Sequence, residues 1–133
     1  MKKFKIFKST MRGKIFKKLD SLMFQSLTKE RGHICEIHKR KCPQIGQMHI
    51  LSKRAHPRLR YCRENILLAG WFCSHYWTHQ DTTDERAIYA FERIKQLLGD
   101  NYRERLLIIE MGQPKQTITY LKGLLIDFRK EST

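Results

Sequence analysis

All ten cysteine and histidine side chains of this chain fall between His33 and His79, and none occurs before or after that stretch. Cysteines serving as dispersed core residues would not segregate in this way. The segment must therefore fold around its thiols and imidazoles, either as a disulfide framework or as a set of ligands. The basic N-terminus shows no secretory signal, because lysines split Phe4, Ile6 and Phe7 and no apolar region of the necessary length follows. A cytoplasmic location is the expectation, and reduced thiols there favour metal ligation over disulfides.

Charge divides the chain at the same place. Residues 1–79 hold eighteen basic and four acidic side chains, whereas residues 80–133 hold nine of each, so the first part carries the entire net charge of +14. A one-sided basic surface is suited to neutralising nucleic-acid phosphates and releasing their counterions. A basic face on an anionic membrane is the competing explanation. With 133 residues the chain fits one domain and one modest core. No uninterrupted apolar run is long enough to cross a bilayer, and the confined charge makes a nucleic acid the expected partner rather than a membrane.

Residues 1–18 contain eight Lys or Arg and no acid. Residues 1–14 read as a basic arm, with Phe4, Ile6, Phe7 and Met11 as its apolar side chains. From Ile15 to Glu30, Ile15, Leu19, Leu22, Met23 and Leu27 recur at helical spacing, and Gly32 is the expected stop. Residues 33–64 read as loops with a short hairpin that includes Met48 to Leu51, and Asn65 to Ala69 as its return strand. Beyond His79 three helices are expected. Thr82 or Thr83 caps the first, which ends at Gly99; Asp100 caps the second; Thr117 precedes the third, with Ile118, Leu121, Leu125 and Phe128 in register. These helices carry balanced charge and read as a packing scaffold.

The chemistry-bearing constellation is His49, Asn65, and the pair His75 and His79. His49 precedes Asn65 by 16 residues, and Asn65 precedes His75 by 10. Placed on a hairpin followed by a helix, these residues suit phosphodiester hydrolysis. A neutral imidazole at His49 accepts a proton from the attacking water, and the Asn65 amide fixes the hairpin and orients that ring. His75 and His79, four apart on one helical face, would hold a divalent ion that polarises the phosphate.

The order His, Asn, His resembles the HNH, or ββα-metal, endonuclease motif. The chain is also similar to phage-type HNH proteins of the NinG recombination family, on Leu19-Asp20-Ser21-Leu22-Met23-Phe24, Cys35-Glu36-Ile37-His38, Gln47-Met48-His49, Leu59-Arg60-Tyr61, Asn65 and Gly70-Trp71-Phe72-Cys73. The resemblance extends over about residues 15–131. It implies an α+β fold in which a ββα-metal core at residues 33–80 lies between an N-terminal helix and a helical cap at residues 81–133. It also implies metal-dependent nicking or cutting of DNA during recombination or processing, with Mg²⁺, Mn²⁺, Zn²⁺ or Ni²⁺ at the active site.

Arg60 matches the family's arginine and is the expected phosphate clamp, with Lys53, Arg54, Arg58 and Arg63 as further backbone contacts. A structural Zn²⁺ would draw on Cys35, His38 or Cys42, and Cys73, with Cys62 in reserve as a fourth ligand. His56 is a spare ligand. Trp71 and Trp77 are expected to pack the hairpin against the helices. The departures from the family pattern are His38 for a second cysteine, Met48 before the base, Gly70 for a cysteine, and Ser74 where His or Asn follows the last cysteine. Met48, Gly70 and Ser74 favour a rival from another class, a non-catalytic zinc-stabilised nucleic-acid-binding module.

Overall fold

The computed structural model describes residues 10–80 and 83–132. Its first element, helix α1 (Met11–Arg31), buries Ile15, Leu19, Met23 and Leu27, a stripe of strict four-residue steps. The Thr10 hydroxyl starts the helix by accepting from the Gly13 N–H, and Gly32 ends it at φ 85, a conformation that side chains resist. The helix thus takes in the last four residues of the expected arm. The earlier part, with Phe4, Ile6 and Phe7, lies outside the described residues.

Strand β1 (Gly46–His49) pairs antiparallel with β2 (Ile66–Ala69), placing His49 opposite Ile66 and Met48 opposite Leu67. The connection between them is long and contains two single 3-10 turns, Pro57–Leu59 and Arg63–Asn65. Helix α2 (Trp71–His79) follows directly. Alternation along the strands gives the hairpin two covered faces. Ile66 and Leu68 pack on Met23 and Leu27 of α1. Met48 and Ala69 join Cys73, Tyr76 and Trp77 of α2 in the largest core cluster.

Helices α3 (Glu85–Leu98) and α4 (Tyr102–Met111) extend that cluster through Ala87, Ala90, Ile94 and Leu106. Helix α5 (Ile118–Glu131) lies on α1, with Leu121 and Leu125 against Ile15 and Leu19. The result is an α+β domain in which a two-stranded hairpin sits between helical layers. Two expected caps are corrected. Asp84, not Thr83, starts α3 by accepting from the Arg86 N–H, and Thr82 lies outside the described residues. Asn101, not Asp100, precedes α4. Thr117 caps α5 as expected, accepting from the Tyr120 N–H, although Ile118 is exposed. No helix of the described residues is long and apolar enough to cross a membrane.

Candidate functional site

Two clusters of chemistry-bearing residues flank α2. The first begins with a tight loop at Cys35. The Cys35 N–H donates to the Arg40 carbonyl at 2.9 Å, and the Lys39 N–H donates to the Cys35 carbonyl at 2.7 Å. The loop closes because Lys39 adopts φ 55. Four donors converge there. His38 Nδ1 lies 3.7 Å from Cys35 Sγ, 3.8 Å from Cys42 Sγ and 3.3 Å from Cys73 Sγ, and the Cys35 and Cys73 sulfurs are 3.9 Å apart. A tetrahedral ion with bonds of about 2.3 Å to sulfur and 2.0–2.1 Å to nitrogen spaces its donors roughly 3.4–3.8 Å apart. Cys35, His38 and Cys42 could hold a metal ion such as zinc.

All four cysteines are free. Contact with Cys73 holds the Cys35 thiol down to about 4 against the effect of burial, and the same contact pushes Cys73 well above the ordinary thiol range. The contact therefore favours the thiolate at Cys35, the form in which a cysteine ligates a metal. Burial raises Cys42. Gly70 explains how Cys42 reaches the cluster. A Cβ at residue 70 would fall 2.8 Å from the Cys42 Cβ, so the missing side chain makes room for Cys42. Cys62, the reserve ligand, is not part of the cluster. It donates to Glu64 at 2.9 Å and is raised to about 11 by burial and that carboxylate.

The second cluster centres on His49, the last residue of β1. Its Nε2 lies 2.8 Å from the Arg60 carbonyl oxygen. A carbonyl only accepts, so the neutral ring carries its proton on Nε2 and keeps a lone pair on Nδ1. Burial pulls its pKa down to about 4; the Arg60 carbonyl opposes the shift and the charges of Lys53 and Arg60 add to it. His49 lines a cleft of about 490 Å³ together with Lys53, His56, Ser74, Thr78 and Arg103, and no Asp or Glu of the described residues joins that lining. Met48, the preceding residue, points to the opposite face and is core.

Asn65 is fully buried and does not orient the imidazole directly. Its Oδ1 accepts from the Leu51 N–H at 2.8 Å, and its Nδ2 donates to the Leu51 and Leu59 carbonyls at 3.0 and 3.4 Å. It clamps both ends of the loop that follows β1, so the group holding the ring is the Arg60 carbonyl at the loop's far side. Trp77 adds a tie from α2, donating to the Ile50 carbonyl at 2.9 Å.

The remaining expected residues divide. Lys53 lines the cleft, Arg54 is exposed, and Arg58 reaches the Gln113 carbonyl at 3.5 Å. Arg63 binds Ser26 at 3.0 Å and pairs with Glu30. Arg60, the expected clamp, is engaged within the fold: its guanidinium bonds Asp20 at 2.8 Å and Tyr61 at 3.2 Å and lies 4.0 Å over the Phe16 ring. It fastens α1 to the loop. His75 and His79 do come together, with rings 4.4 Å apart, and Trp71 stacks on His75 at 4.8 Å while remaining half-exposed. Neither histidine lines the His49 cleft; Ser74 and Thr78 do so from α2. The sequence assigned no site role to Asp20, Glu110 or Arg103. Glu110 holds His56 Nδ1 at 3.0 and 3.1 Å. Nothing local marks Glu110 or Arg103, because both come to the loop and cleft from a distant helix, and the helical motif that contains Asp20 does not reveal its pairing with Arg60. No protein-family model, curated protein or solved structure matches the chain.

Proposed function

We propose that this protein is an HNH-type endonuclease that hydrolyses DNA phosphodiester bonds, with His49 as general base and a structural zinc on Cys35, His38, Cys42 and Cys73. The observation that carries the reading is the bond from His49 Nε2 to the Arg60 carbonyl. It leaves Nδ1 as the basic atom at the edge of a cleft lined by cations and free of described carboxylates. The order hairpin, then helix, with Asn65 fastening the long connection, is the frame the HNH resemblance implies.

In the reaction, a water in the cleft gives a proton to His49 Nδ1 as its oxygen bonds to phosphorus. The P–O bond to the leaving sugar then breaks, and that oxygen takes a proton from solvent. The low pKa keeps His49 unprotonated at neutral pH. The expected catalytic ion does not fit His75 and His79, which lie outside the cleft lining. A hard cation such as Mg²⁺ prefers carboxylate oxygens, which the described lining lacks, so no step is assigned to it.

A supercoiled-plasmid assay tests the reading, run with Mg²⁺, Mn²⁺ or Ni²⁺, with EDTA, and with His49→Ala. Loss of a general base costs about 10²–10⁴-fold, so nicking by wild type and its loss in the variant are expected. The misplacement of His75 and His79 favours a second reading, a zinc-stabilised DNA-binding module. Binding without cleavage under every metal selects that reading.

A further inference from the structure

The C-terminal helices look like scaffold in the sequence, yet α4 supplies a wall of the His49 cleft. Arg103, in the first turn of α4, is exposed and lines that cleft, and no carboxylate of the described residues pairs with it. Arg60 differs on every count, since Asp20, Tyr61 and the Phe16 ring engage its guanidinium. Around Arg103 the same cleft presents Lys53 and the two imidazoles of His49 and His56. His56 is fixed through Nδ1 by Glu110, which leaves Nε2 as its remaining polar atom. A concave wall of one sign concentrates anions more strongly than scattered surface charge does.

We propose that Arg103 is the phosphate clamp of this cleft, gripping a backbone phosphodiester of the nucleic-acid strand that presents its scissile bond to His49. The inference rests on the nucleic-acid reading above but not on cleavage. A planar guanidinium with free N–H groups matches two phosphate oxygens at once. A lipid headgroup offers the same phosphate, but a flat bilayer does not enter a recessed cleft as a single strand does.

Fluorescence anisotropy with a labelled 20-base-pair DNA duplex, titrated over a range of salt without added Mg²⁺ or Mn²⁺, tests the assignment. Arg103→Ala is expected to weaken binding about tenfold and to reduce the slope of log K against log salt by about one. Arg103→Lys should keep the slope while recovering part of the affinity. Arg60→Ala should leave the slope unchanged and lower the melting temperature instead. A wild type that binds with this Arg103 dependence but never cuts the plasmid upholds the clamp and retires the hydrolase. The clamp is overturned if Arg103→Ala keeps the wild-type affinity and slope, or if Arg60→Ala is the variant that lowers the slope. It is equally overturned if Arg103→Ala loses binding to phosphatidylglycerol vesicles but not to the duplex.

Discussion

The knot around His38 and the cleft around His49 take adjacent residues of one helix, Cys73 turning into the core and Ser74 lining the cleft, yet they are built on opposite terms. In the knot, sulfur and imidazole donors stand at ligand spacing with Cys35 and Cys73 buried. In the cleft the side chains are imidazoles, hydroxyls and cations around open space. A closed set of soft donors suits an ion that stays and stabilises. An open cationic cleft suits a polyanion that arrives and leaves. On the proposed reading, the chain would separate a metal that orders the fold from a surface that meets substrate, and each prediction below tests that separation.

The largest effect belongs to the knot. Structural zinc supplies about 10–16 kcal/mol of apparent binding free energy in small domains, as large as the whole stability of a typical domain. Cys73→Ser, or removal of the ion by a strong chelator, is therefore expected to abolish the cooperative thermal transition, with one zinc per chain lost by elemental analysis. His75→Ala and His79→Ala should lose none. A chain that keeps its melting temperature after chelation would break the comparison at its root.

The cleft's own architecture comes next. Asn65→Ala would strand the Leu51 N–H and carbonyl in a buried setting, at about 1–3 kcal/mol for each orphaned group. Chemical denaturation should show a loss of roughly 3–4 kcal/mol with zinc stoichiometry unchanged. A concurrent loss of zinc would show that loop and knot form one unit.

Much of this was legible in the sequence because it is local or periodic. The four-residue stripe of α1, the Gly32 and Gly99 stops, the Thr117 cap and the Cys/His segregation all encode their geometry within a few residues. What escaped was set by tertiary contact. Arg60 matched a phosphate-binding pattern, but Asp20 reaches it from α1, forty residues away. His75 and His79 have the right spacing on the wrong face, since a shift of one residue on a helix turns a side chain by about 100°. Gly70 looked like a lost ligand, while the structure shows it making room for Cys42.

A pH titration sharpens the comparison from the side of the cleft. The unfolded His49 titrates at its ordinary 6.5 and the folded one at about 4. Above pH 6.5 both states are neutral and this residue adds no pH dependence. As pH falls from 6.5 towards 4, the unfolded chain binds a proton that the folded chain refuses, so stability drops by up to about 3 kcal/mol and then levels. His49→Gln should flatten that limb when wild type and variant are unfolded in urea at each pH. The acid limb of kcat/KM should likewise fall nearer 4 than 6.5. An unchanged limb in the variant would mean that His49 is not buried against the Arg60 carbonyl in solution.

The smallest effect probes the backbone of the knot. Lys39 holds φ 55 so that its N–H can reach the Cys35 carbonyl, and its side chain is exposed. A left-handed conformation costs an L-residue about 1–2 kcal/mol and costs glycine little. Glycine also loosens the unfolded chain, which offsets part of the gain. Lys39→Gly should therefore stabilise the protein by about 0.5–1 kcal/mol and tighten zinc in a competition titration, because the loop that presents Cys35 and His38 is relieved of strain. Gln80, at φ 52 beside the cleft, is the control. Gln80→Gly relieves the same strain but loses the bond from Nε2 to the Trp77 carbonyl, so its net change should be near zero and its zinc affinity that of wild type. Equal effects on zinc from the two substitutions would mean that the knot's backbone is not what shapes its metal site.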